Sequence, residues 1–241
     1  MRTRQEIKAI GRERFLANYW PCVLVVLIMG LILAAISGVT SGPTYISAVS
    51  AAASGREPDI SAASTGGSFL GSVAILLLSG PLTIGQNYFF IMNVLGRESE
   101  ATLGAAFRAA FTNYGRKLGG SLWMALFIFL WTLLFFIPGI IKSFSYAMTP
   151  YILADCPNVK ARDALKLSMR IMAGHKWELF VFELSFIGWA LLSALTAGIL
   201  DIFYVGPYVQ SATATYYLEV REEALRNGVV TMAQLEGRQE V

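Results

Sequence analysis

Apolar residues in this chain fall in long runs, not in the alternation or narrow stripes of a water-facing fold. A helix needs about 20 mostly apolar residues to cross the ~30 Å hydrocarbon layer of a bilayer. Runs of that kind occupy 21–38, 69–95, 121–154, 179–200 and 202–218. Pro21 opens the first at a position the first helical turn tolerates. As one helix the block 121–154 would measure about 50 Å, too long for a single crossing. It contains Pro138-Gly139, a turn signal, with Lys142 just beyond. It therefore divides into spans at 121–137 and 140–154, a re-entrant loop being the rival form of the second. The pattern predicts an all-α membrane protein with six transmembrane helices in three hairpins over 21–218. A cytoplasmic amphipathic segment, 1–20, precedes them and a cytoplasmic tail, 219–241, follows.

The polar segments orient this array. With the N-terminus inside, the cytoplasmic pieces 1–20, 96–120, 155–178 and 219–241 hold 17 of the 19 Lys and Arg residues. Arg56 and Lys142 are the exceptions. Basic residues are retained on the cytoplasmic side of membrane proteins, so both termini are expected there. The start of the chain has the outline of a signal peptide. About twenty residues precede its apolar run, however, and that run is long enough to span, so it reads as a retained first helix. The one long external segment, 41–68, is rich in Ser, Ala and Gly around Arg56-Glu57-Pro58-Asp59. It shows no clear period and reads as an irregular surface loop, a ligand lid being the alternative.

Composition agrees with the pattern. Hydrophobic residues make up 55% of the chain and charged residues 15%, against about 25% charged in soluble domains. Disorder and a disulfide scaffold are excluded; Cys22 and Cys156 are expected as reduced thiols, buried or inert, near cytoplasmic membrane ends. The junctions Asn18-Tyr19-Trp20, Asn113-Tyr114-Gly115 and His175-Lys176-Trp177 look alike. So do Gly80-Pro81, Thr149-Pro150 and Gly206-Pro207. They suggest a threefold repeat, or the chance recurrence of interfacial aromatics and kinking prolines.

The cytoplasmic stretches carry helical stripes. Leu103, Phe107, Ala110, Phe111 and Tyr114 share one face. In the next stretch Leu165, Ser168, Met169 and Met172 form an apolar stripe, with Arg162, Lys166 and Arg170 four apart beside it. On a helix lying at the headgroups those three cations would meet anionic lipid; otherwise the helix caps the bundle and its charges are solvated. Membrane lipids with anionic headgroups are thus the expected partners. A protein partner or a second copy is another, since Gly30, Ala34, Gly38 and Ala190, Ala194, Gly198 repeat small residues at the spacing that packs helices closely. Packing within the chain is the simpler use. Trp123, Phe127, Trp131 and Phe135, also at steps of four, read as a lipid-facing or packing stripe.

Candidate chemistry is sparse. Glu183 lies one turn inside the cytoplasmic end of a span, where a carboxylate faces protein or water. By depth, Gln86, Asn87 and Gln210 are expected to join it in an inward-facing polar pocket; the plain alternative is local pairing with Lys176 or Trp177. Lys142 and Asp201, both at the outer edge, are expected to form an ion pair between hairpins two and three. A single histidine, His175, and two distant cysteines do not suggest a metal site. No phosphate-cradling loop or nucleophile elbow is present. No catalytic residue, metal, cofactor or nucleic-acid partner is expected.

The stretch Ile137-Pro138-Gly139-Ile140-Ile141-Lys142, then Tyr146 to Asp155 and Pro157, carries a further signal. So do Ala164-Leu165-Lys166-Leu167-Ser168, Gly174-His175-Lys176, Glu183 to Trp189 and Gly206-Pro207-Tyr208. Over about 137–220 these segments resemble an uncharacterised family of polytopic membrane proteins of Gram-positive bacteria. That family is loosely similar to the membrane domain attached to some glycerophosphodiester phosphodiesterases. The resemblance implies a plasma-membrane location and supplies no activity or site residue. The expectation is a non-enzymatic envelope accessory or scaffold; the alternative is a small transporter or lipid-handling protein built around Glu183.

Overall fold

The computed structural model describes residues 1–54 and 62–238. Every regular element among them is helical. The helices are α1 (Arg4–Ala17), α2 (Tyr19–Ser54), α3 (Ala62–Val94), α4 (Leu103–Phe111), α5 (Tyr114–Leu134), α6 (Phe136–Tyr146), α7 (Thr149–Asp155), α8 (Ala161–Ile171), α9 (Lys176–Leu184), α10 (Ile187–Leu195), α11 (Gly206–Arg226) and α12 (Met232–Leu235). One π-helical turn, Asp201–Val205, leads into α11. Thr3 starts α1 with a reciprocal capping box to Glu6. Thr102 caps α4 by accepting from the Ala105 N–H.

At the centre stands α11. Tyr216 and Tyr217 are fully buried in it, as are Ala212, Ala214 and Val220. Antiparallel along it lies α1, from Arg2 on Glu219 (2.7 Å) to Phe15 against the Tyr204 ring (5.5 Å). The buried Ile7, Gly11 and Phe15, four apart, form the contact face of α1. Against α11 from another side, α9 and α10 set Phe182 on Tyr216 (5.1 Å) and Trp189 on Tyr204 (5.4 Å). The Tyr151–Tyr217 stack (5.4 Å) brings in α7. Gly85 lets α4 fold back on α3: a Cβ there would stand 2.4 Å from the Ala106 carbonyl oxygen.

Four helical stretches are long and apolar enough to cross a membrane among the described residues: Tyr19–Gly38, Gly71–Val94, Tyr114–Leu134 and Lys176–Leu195. The other two expected spans take different forms. The stretch 140–154 breaks at Ala147-Met148 into the end of α6 and α7, 11 and 7 residues long. The stretch 202–218 becomes the π-helical turn and α11, whose Ser, Thr, Gln and Glu residues lower its apolar character and whose flank is the charged α1. Chain reversal after α5 falls at the extended Phe135, not at Pro138-Gly139. Pro138 lies in the first turn of α6, where its missing N–H leaves no bond unmade. Gly139 permits the tight return, because a Cβ there would be 2.7 Å from the Thr132 Cα.

The expected irregular segment 41–68 is helix up to Ser54 and again from Ala62. Alanine, the best helix former, is frequent there. Its charged centre, Arg56 to Asp59, lies outside the described residues. Both small-residue stripes also depart from close packing within the chain. A Cβ added at Gly30 or Gly38 meets nothing within 4 Å, and Gly198 sits in a turn at φ +83°. Ala190 and Ala194 are exposed. Large apolar side chains crowd the outside at the α5–α6 reversal and on α10, with Leu133 75% and Leu195 83% exposed.

Candidate functional site

The stripe Trp123, Phe127, Trp131 on α5 forms the floor of a groove walled by α6 and α8. Because α6 returns antiparallel to α5, its residues pair with the stripe in reverse order. The Lys142 ammonium sits 4.9 Å from the Trp131 ring centre, and the Tyr146 ring 6.4 Å from Phe127. At the other end the Arg162 guanidinium lies 4.8 Å over Trp123. A cation over an aromatic face is worth about 0.5–1 kcal/mol at exposed sites. Trp123 and Trp131 are separated by about 12 Å of helix axis. Leu165, Met169 and Lys166 of α8 complete a groove of 560 Å³.

Helix α8 holds its wall in place by burying the stripe read from the sequence. Leu165, Ser168 and Met172 are inside the protein, and the Ser168 hydroxyl donates to the Ser145 carbonyl at 2.9 Å. The stripe therefore caps the bundle and leaves its basic face free. Arg162 and Lys166 line the groove; Lys166 has Asp163 at 3.9 Å. Arg170 does not line it. Four residues on a helix advance by 400°, so each such step turns the face by about 40°. By Arg170 the side chain has turned to the segment after α11, donating to Gln234 (3.1 Å) and to the Val229 carbonyl.

The polar pocket expected around Glu183 is divided. Glu183 and Gln210 share a recess of 460 Å³ with Asp201, between α9–α10 and α11. Gln86 and Asn87 on α3 do not line it, and Asn87 is buried, 2% exposed. Depth along a helix sets height in the bundle but not bearing around it, and the four residues share only the former. Glu183 makes no ion pair with Lys176 among the described residues; His175, one residue earlier, meets Glu178 (3.1 Å) and Glu223 (3.8 Å) instead. The outer pair is likewise not formed. Lys142 faces Trp131 in the α5–α6 hairpin, while Asp201 belongs to the recess beside α10.

Two clusters near α7 were missed by the sequence reading. Arg116 donates to the carbonyls of Leu153 (2.7 Å), Val159 (2.8 Å) and Cys156 (3.1 Å), satisfying acceptors at and beyond the C-terminus of α7. Asp155 accepts from Arg221 and from the Tyr217 hydroxyl (2.9 Å), tying α7 to α11. Their only local trace is charge beside an apolar run. Cys22 and Cys156 are free and buried. Burial, with Asp155 adjacent, pushes the Cys156 thiol up to about 12.

Residues 133–224 match the model of DUF975, a protein family of unknown function. This DUF975 region begins at the end of α5 and runs to within two residues of the end of α11. It contains the α6 and α8 walls of the groove, the Glu183 recess and the Asp155–Arg221 pair. It coincides with the motifs of 137–220 and concerns an uncharacterised family; bacterial host and the phosphodiesterase-attached membrane domain form no part of the match. No curated protein and no solved structure matches the chain.

Proposed function

We propose that this chain is a multi-pass protein of the bacterial plasma membrane that holds anionic lipid in the α5–α6–α8 groove, as a non-enzymatic envelope accessory. The observation that carries the proposal is the groove itself: an aromatic floor with cations at both ends is chemistry suited to an amphipathic anion. The exposed apolar surface of α5, α6 and α10 is of the kind that lipid covers. Packing supports lipid binding over a through-going channel, because the four polar residues expected to line one cavity do not meet and the space around α11 is filled by tyrosine and phenylalanine rings.

The test is retention of phosphatidylglycerol after purification, read by native mass spectrometry. The wild-type chain is expected to keep it. At about 1 kcal/mol per cation, Arg162→Gln with Lys166→Gln is expected to weaken binding roughly thirtyfold. Trp123→Ala is expected to weaken it too. Equal retention by wild type and the charge variant would overturn the proposal.

Orientation belongs to the same proposal. The Arg2–Glu219 pair supports putting the two ends of the chain on one side, and the basic segments support the cytoplasmic side. The α2–α3 pair crosses fully and α5 returns through α6 and α7. With the charged α1 beside it, α10 and the π-helical turn insert as a shallower third hairpin. Buried Cys22 and Cys156 leave an engineered Lys166→Cys as the reactive thiol. A maleimide is expected to label it from the cytoplasmic face alone at pH 8, and to leave the folded wild type unmodified. Labelling of Lys166→Cys from outside intact cells would reverse the orientation.

A further inference from the structure

A third cavity, of 790 Å³, opens where α3, α4 and the start of α5 meet the end of α7. Its charged lining is uneven: Arg97, Arg108, Arg116 and Lys117 against Glu100 and Asp155. Both acids are already engaged. Glu100 faces Arg97 at 3.9 Å and accepts from Tyr88 at 3.4 Å, and Asp155 holds Arg221 and Tyr217. Arg116 spends its terminal nitrogens on neutral carbonyls, and its Nε is buried with no partner. Arg108 is exposed and makes no ion pair among the described residues. Lys117 is the decisive residue. It is 5% exposed, lines the cavity, and has no hydrogen bond or ion pair among the described residues.

The Lys117 stem is buried and its ammonium is left facing a cavity whose carboxylates are already paired, so the uncompensated positive charge favours an anion there. The backbone adds to the same field. Thr112 and Asn113 line the cavity just before α5, so the positive end of this 21-residue helix lies beside it. Tetrahedral oxyanions suit such a mixture of guanidinium and ammonium donors.

We propose that this cavity binds a phosphoryl group, with Lys117 as its buried counter-ion and Arg108 as its exposed one. The site is separate from the aromatic groove and shares no lining residue with it. The phosphoryl group belongs to a lipid headgroup or to a water-soluble phosphate, and the two sources are separable. The purified full chain is titrated with inorganic phosphate in detergent, against chloride at equal ionic strength. In parallel it is placed in nanodiscs with and without phosphatidic acid. Thermal unfolding is followed in each.

A rise in midpoint with phosphate in detergent identifies a soluble ligand; a rise confined to phosphatidic acid identifies a headgroup. Lys117→Met is expected to weaken the response roughly tenfold or more. It should also leave the ligand-free protein as stable as wild type or more so, because an unpaired buried charge is removed. Arg108→Gln, on an exposed position, is expected to weaken the response severalfold without touching the fold. No anion-specific rise in either arm, or an unchanged response in both variants, overturns the proposal. So does a Lys117→Met chain that is less stable without ligand while Arg108→Gln responds like wild type.

Discussion

Replacing Gly11 with leucine is expected to detach α1 from the bundle. A Cβ at residue 11 would stand 2.6 Å from the Ala212 Cα and 2.8 Å from the Ala212 nitrogen. These are backbone atoms of the central helix, so no side chain can turn aside. Overpacking alone costs about 1–3 kcal/mol. If α1 lifts instead, Ile7 and Phe15 lose their burial, worth roughly 1.5–3 kcal/mol each. The thermal midpoint in detergent should fall, and residues 1–18 should become sensitive to protease. Ala212→Gly should not rescue the variant, because removing the Ala212 methyl leaves the clashing backbone where it is. Gly30→Leu is the control: its Cβ meets nothing within 4 Å, so stability should hardly change. An unchanged midpoint for Gly11→Leu would show that α1 is not seated on α11.

The second large effect is expected at the bridge between α7 and α11. Arg221→Met removes the guanidinium from Asp155, whose side chain is only 11% exposed. The carboxylate keeps the Tyr217 hydroxyl but loses its counter-charge. Breaking a buried pair from one side costs about 3–5 kcal/mol, whereas replacing both partners with apolar groups is often close to neutral. Arg221→Met alone should therefore be much less stable than Arg221→Met combined with Asp155→Leu. A double-mutant cycle on unfolding midpoints reads the coupling directly. Equal stability of the single and double variants would mean that Asp155 is solvated and that the pair does not hold α7.

The two predictions rest on features that differ in legibility. Ile7 and Phe15 are apolar and four residues on either side of Gly11, so the seating face of α1 is visible as a helical stripe. That its partner is Ala212 is not visible: the partner lies two hundred residues on, in a stretch that reads as a span. The α5 stripe is similar. Its spacing shows one face of a helix as far as Trp131, Phe135 having left the helix, and that face floors the groove, but the cations over its rings come from α6 and α8. The Asp155–Arg221 pair left less to read, since an acid after one apolar run and an arginine after another are ordinary ends of helices.

Sequence alone determined that this chain is helical and apolar enough to enter a bilayer and that its cations cluster between the apolar runs. These follow from local periodicity and from the expense of putting charge in oil, both of which act residue by residue along the chain. Tertiary structure decided which helix turns which face to which neighbour. It joined Glu183 to Gln210 and separated them from Asn87, moved Lys142 from Asp201 to Trp131, and left Lys117 buried beside a cavity. A helix repeat fixes the angle between residues on one cylinder; the angle between cylinders is set by how side chains from distant segments fit, as at Gly11 on Ala212 and Gly85 on Ala106.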